Sequence, residues 1–166
     1  GKTMGKGYDS PQHTVVLSSD YYMCKYEVTR SLWYAIMNDS IVTEEGMLPM
    51  THITWNDAEA FTKKLNKLTG LPFSLPTEAQ WEYAAAGGES YPYAGSDNIR
   101  DVAYYASNAN ERLHPVGEKR ENGFDLYDMS GNAAEWCTDW MSRYENTRVT
   151  DPQGPAENPG HHKKIV

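Results

Sequence analysis

Phe124-Asp-Leu-Tyr-Asp-Met-Ser-Gly-Asn-Ala-Ala-Glu-Trp-Cys-Thr-Asp-Trp140 is the stretch that decides how this chain folds. Two tryptophans, one tyrosine, four acidic residues and a Gly-Asn turn share one short run. Apolar and acidic residues interleave without the 3.6-residue period of a helix. Such a run predicts irregular backbone held by buried rings and by oxygen donors, a composition suited to a hard cation. Ca²⁺ takes six to eight oxygens from carboxylates and peptide carbonyls. A turn at Ser130-Gly131-Asn132 lets carbonyls face inward while Asp128 and Glu135 close from either side. The plainer alternative makes Asp128 an Asx-turn residue and Glu135 half of a surface ion pair. Spacing alone leaves both open.

The rest of the chain bounds the problem. Its 166 residues fit one domain with a sizeable core. With 39% hydrophobic and 23% charged residues, the composition is that of a soluble globular protein. A net charge of −8 leaves no basic surplus for phosphates and argues against nucleic acid as a partner. No apolar run reaches transmembrane length. Five Trp and 12 Tyr against three Phe suit a loop-rich core or a binding surface, because these rings carry a polar handle. The two cysteines, Cys24 and Cys137, follow aromatic neighbours and read as buried free thiols, with one disulfide as the alternative.

Along the chain, His13-Thr-Val-Val-Leu17 reads as a strand and Tyr21 to Val28 as a second with period-two alternation. Thr29 caps a helix from Arg30 to about Asn38, with Leu32, Trp33 and Ile36 inward. Thr54 and Asp57 open the clearest helix. Its stripe is Ala58, Phe61, Leu65 and Leu68, its solvated face Lys63, Lys64 and Lys67, and its stop Gly70. Thr77-Glu-Ala-Gln80 is a capping box for a helix to about Ala86, ended by Gly87-Gly88. From Tyr91 to Asn122 no period is sustained, apart from a short strand near His114-Pro-Val116. Lys163 to Val166 looks like the start of a strand. His13, His52, His114, His161 and His162 lack zinc-ligand spacing. No phosphate loop, nucleophile elbow or dinucleotide fingerprint is present.

A set of ordered motifs adds to this reading. Met4-Gly5 with Pro11-Gln-His13, Lys25-Tyr-Glu-Val-Thr29 with Leu32-Trp33, Pro49 with Thr54-Trp55 and Ala58, and Leu75-Pro-Thr-Glu-Ala-Gln-Trp-Glu-Tyr-Ala-Ala85 come first. His114-Pro-Val-Gly117, Asn122-Gly-Phe and Leu126-Tyr-Asp-Met-Ser-Gly-Asn-Ala-Ala-Glu-Trp136 follow. Together they resemble the formylglycine-generating enzyme, or sulfatase-modifying factor, family, from about residue 3 to residue 140. The resemblance implies an α+β fold, a variant of the C-type-lectin fold with two helices, a small twisted antiparallel sheet and many loops. It also implies a calcium site held by the side chains of Asp128 and Glu135 and the carbonyls of Gly131 and Ala133. A second family calcium site does not carry over, because the loop from Asp101 to Glu121 is short and does not match.

Enzymes of the family oxidise a client sulfatase cysteine to formylglycine with O₂ and a copper(I)-binding cysteine pair. That pair follows an Arg-Gly-Gly-Ser motif, which would begin about where this chain stops at Lys164-Ile-Val166. Cys24 and Cys137 are not at the catalytic positions, so copper is expected only if a further C-terminal segment supplies the pair. The expectation is one domain over 1–166, C-terminally incomplete, acting as a calcium-stabilised binding or structural module. Its partner would be a protein or glycan, and its compartment extracytoplasmic. The alternatives are a formylglycine-generating oxidase without its catalytic end, or a lectin-type ligand-display scaffold.

Overall fold

The computed structural model describes residues 11–38, 45–156 and 163–166. Element order is β1 (Val15–Val16), α1 (Arg30–Met37), α2 (Trp55–Thr69), α3 (Glu78–Ala86), α4 (Ile99–Val102) and β2 (Val149–Thr150). Most of the remaining described chain is turns and extended loop.

The helices begin where side chains stand in for missing backbone partners. Thr54 accepts from the Asp57 amide while the Asp57 carboxylate accepts from the Thr54 amide, which completes a capping box on α2. Thr77 and Gln80 do the same for α3. Both helices end on a left-handed glycine, Gly70 and Gly87. Thr29 caps α1 through Leu32 N–H.

Two packing centres follow. Trp33 of α1 stacks on Phe61 of α2, ring centroids 5.0 Å apart and planes 5° from parallel. Ala84 of α3 packs with Leu126 and Met129, which brings the helix against the 124–140 segment, and Met23, Trp81, Ala85 and Ala94 surround this cluster. Asn122 welds that contact. Its Nδ2 donates to the Ala84 and Ala85 carbonyls, and its Oδ1 accepts from the Phe124 and Leu126 amides.

Several expectations need correction. The described residues hold four helices rather than two; α4 is a single turn capped by the Asn98 side chain. The sheet is not antiparallel: β1 and β2 pair in parallel, with Val15 opposite Val149. Parallel neighbours need a long crossover, and nearly the whole chain lies between these two. Among the described residues antiparallel pairing survives only as isolated bridges, Thr29 with Pro49, Tyr93 with Ser96 and Trp140 with Lys164. Tyr21 to Val28 is not a strand, because its carbonyls go to separate partners: Lys25 O accepts from Tyr127 N–H and Val28 O from Met50 N–H. His114 to Val116 is loop, tied by Val116 N–H to the Met47 carbonyl. Cys24 is exposed, not buried, while Cys137 is buried; both are free. Leu32 and Leu68 lie on exposed faces of their helices. His161, His162, Met4 and Gly5 lie outside the described residues.

Candidate metal centre

The 124–140 segment takes the irregular course that its composition predicts. Asp125, Asp128 and Asn132 all adopt positive φ, a region short polar side chains tolerate better than most. Gly131 is required by contact: a Cβ there would collide with the Tyr104 carbonyl. Asn132 donates its own N–H to that same carbonyl. Its side-chain oxygen accepts from His114 N–H at 3.0 Å, and its Nδ2 donates to Glu27 Oε2 at 2.7 Å.

Three carboxylates, those of Asp128, Glu135 and Glu27, have their hydrogen bonds along or against this segment. Asp128 is 4% exposed; its Oδ2 accepts from Gly117 N–H at 2.8 Å. Its Oδ1 is buried without a hydrogen-bond partner among the described residues. This is not the Asx-turn geometry, since the donor comes from a distant loop. Glu135 Oε2 accepts from the Trp81 indole N–H at 2.6 Å. Its carboxylate lies deep although the residue as a whole is half-buried, so it is no surface ion pair. Glu27 is buried, with Oε1 accepting from Ala133 N–H at 2.8 Å.

Each of the three is harder to ionise than usual. Burial pushes Glu27 up to about 8; the Ala133 and Asn132 hydrogen bonds oppose it, and the Asp128 and Glu135 charges add to it. Burial likewise raises Asp128, against the Gly117 hydrogen bond and with the Glu118 charge. Burial raises Glu135, against the Trp81 hydrogen bond and with the Asp128 charge. Desolvated acids that repel one another, one with an unsatisfied oxygen, are an environment that a bound cation relieves.

Asp128, Gly131, Ala133 and Glu135 follow one another along this segment, and the Asp128 charge bears on Glu135. Among the described residues no three His, Cys, Asp or Glu side chains gather closely enough to hold a metal by themselves. A cation here therefore needs peptide carbonyls besides carboxylates, as hard-cation sites commonly do.

Sequence reasoning missed Glu27, Asn132, Trp81 and Tyr104. Glu27 lies 106 residues from Ala133, and no spacing rule links them. Its only sequence signal is membership of the Lys25-Tyr-Glu-Val-Thr29 motif.

Residues 1–164 match the family described as the sulfatase-modifying factor enzyme 1-like domain. The chain belongs to this family. Among similar proteins, it is 38% identical to the formylglycine-generating enzyme of Streptomyces coelicolor over 134 residues, 70% of this chain and 41% of that enzyme. It is 30% identical to the chaperone protein LppX of Paenibacillus barcinonensis, covering 90% of this chain and 71% of that protein. Against the serine/threonine-protein kinase pkn1 of Chlamydia caviae, identity is 34% over 70% of this chain but only 19% of the kinase. The chain thus spans about two-fifths of the Streptomyces enzyme's length. Among solved structures, Treponema denticola variable protein 1 superposes with TM-score 0.75 at 27% identity, over 92% of this chain and 74% of that one. PvdO of Pseudomonas aeruginosa shares the fold, with TM-score 0.62 at 22% identity over 78% of this chain and 63% of that one. No described helix is long and apolar enough to cross a membrane.

Proposed function

We propose that this chain is a non-catalytic, calcium-stabilised binding or structural module of the sulfatase-modifying-factor-like family. The observation that carries the calcium reading is the buried, unpartnered Oδ1 of Asp128 beside the raised carboxylates of Glu135 and Glu27. Asp128 and Glu135 would hold the ion by their side chains, and Gly131 and Ala133 by their carbonyls. The ion would supply charge neutralisation at a turn that joins α3, the Glu27 loop and the His114 loop.

Two features support the non-catalytic reading. Burial pushes the Cys137 thiol up to about 12, and partial desolvation raises Cys24 even though that residue reaches the surface, which disfavours the thiolates that bind copper. The family segment also recurs as a minor part of a kinase and as the larger part of a chaperone, as expected of a module reused for contact. The partner would be a protein or a glycan, the chaperone likeness favouring a protein, and its compartment extracytoplasmic. The sparse regular structure suits the variant C-type-lectin fold, and the family match over 1–164 supports one domain.

The test is thermal melting with and without about 1 mM Ca²⁺ or chelator. A ligand bound only to the native state at about 100 times its Kd stabilises by about 2.7 kcal/mol. Calcium is expected to raise the Tm of the wild type and leave Glu135→Ala unmoved. Identical wild-type melting in calcium and chelator removes the calcium reading. The identity to the Streptomyces enzyme favours a second reading, a formylglycine-generating oxidase. Conversion of a Cys-x-Pro-x-Arg peptide by this chain under O₂ with copper would establish it. The likeness to the Treponema variable protein favours a third, a ligand-display scaffold.

A further inference from the structure

A cleft of about 430 Å³ opens between the 104–118 loops and the 45–48 turn. That volume is in the range of small-molecule sites. One wall is held by ring and side-chain contacts. The Tyr104 ring stacks on His114, centroids 3.6 Å apart and planes 3° from parallel, and the Lys119 ammonium sits 4.4 Å from the Tyr104 centroid. The Tyr104 hydroxyl donates to Glu118 Oε2 at 2.9 Å.

The same wall carries two acceptor atoms side by side, one of which, Glu118 Oε2, already takes the Tyr104 hydroxyl. His114 Nε2 lies 3.0 Å from the Ala109 carbonyl, which can only accept, so Nε2 carries the proton. In the neutral ring, Nδ1 is then a lone pair. It stands 3.9 Å from Glu118 Oε2, beyond hydrogen-bond reach, and both atoms belong to cleft-lining residues. A ligand ammonium, with three N–H donors, satisfies both. Arg112 lines the same cleft and offers the planar fork that binds a carboxylate bidentately. On the rim, Glu45 is held by an ion pair to Arg30.

We propose that this cleft binds a small zwitterion of the amino-acid type, its ammonium on Glu118 and His114 and its carboxylate on Arg112. The cleft adjoins the calcium turn, since His114 N–H donates to Asn132 Oδ1, and its ligand goes beyond the module reading.

The experiment is an amide-shift NMR titration of the 166-residue chain with each of the twenty free L-amino acids, with acetate and methylamine as single-ended probes. At least one amino acid is expected to give saturable shifts confined to residues 45–48 and 104–118. Acetate and methylamine should bind about tenfold more weakly or worse, a factor that corresponds to 1.4 kcal/mol. Arg112→Ala and Glu118→Gln should each weaken the amino acid by about the same factor. Glu118→Gln keeps an acceptor for Tyr104, so it removes the charge and spares the wall. No saturable local shift from any amino acid overturns the proposal, as does wild-type affinity in both variants with unchanged amide spectra elsewhere.

Discussion

Removing the Asn122 side chain should unfasten α3 from the segment beneath it. In Asn122→Ala, four hydrogen bonds vanish: two from Nδ2 to the Ala84 and Ala85 carbonyls and two to Oδ1 from the Phe124 and Leu126 amides. The bonds to Ala84 and from Leu126 are buried, so water does not readily replace them. A buried backbone group stripped of its partner costs about 1–3 kcal/mol. The Ala84 carbonyl keeps the Gly87 N–H, so the Leu126 amide is the one buried group stripped, and the loss is about 1–3 kcal/mol, the other bonds adding little. For a chain of this size each kcal/mol moves Tm by about 2–4 °C, so Tm should fall by roughly 2–12 °C. Asn122→Asp keeps the two acceptor roles and loses the donor, so it should fall between wild type and alanine. Urea unfolding followed by tryptophan fluorescence gives the free energies directly. A loss below about 1 kcal/mol in Asn122→Ala would show that water or relaxation satisfies these groups, and the welding role would be refuted.

Two more outcomes follow from separate parts of the structure. Gly131→Ala places a Cβ against the Tyr104 carbonyl and 3.1 Å from its carbon; melting should drop by at least the several degrees expected of about 2 kcal/mol, and an unchanged Tm would show that the Tyr104 loop yields freely. Burial, with Asp139, Glu78 and Glu135 nearby, pushes the Cys137 thiol up to about 12, so native protein at pH 8 should take one equivalent of iodoacetamide, at exposed Cys24, and a second only in denaturant. Rapid native labelling of a Cys24→Ser variant would contradict this.

What sequence revealed and what it hid divide along a physical line. Thr54 with Asp57 and Thr77 with Gln80 were readable because a capping box is completed within four residues. Gly70 and Gly87 were readable for the same reason. The aromatic-acidic character of 124–140 announced irregular backbone, and the structure has it. The partners of that segment were not legible. Glu27, Trp81 and Tyr104 arrive from three different stretches, and their contacts depend on the finished tertiary arrangement. Tyr21 to Val28 misled because its alternation of side chains mimics a strand, while its backbone groups are divided between the 126–128 loop and the residues after Pro49. Leu68 misled because helical phase alone cannot tell where a neighbouring element stops covering a stripe.

The pairing of β1 with β2 has a consequence in time. Ser18 donates its amide to Asp151, 133 positions away, and Val15 lies beside Val149. A ribosome adding about 5–20 residues per second needs about 7 to 27 seconds to make that stretch. Throughout that interval the first strand has been synthesised and its mate has not. Closing so long a loop is also slow once both ends exist, because the entropy of closure precedes the reward of contact. Newly made chains of this protein should therefore pass through a prolonged period in which the helices are formed and the amino-terminal edge is bare, and that edge is where a holdase would find them.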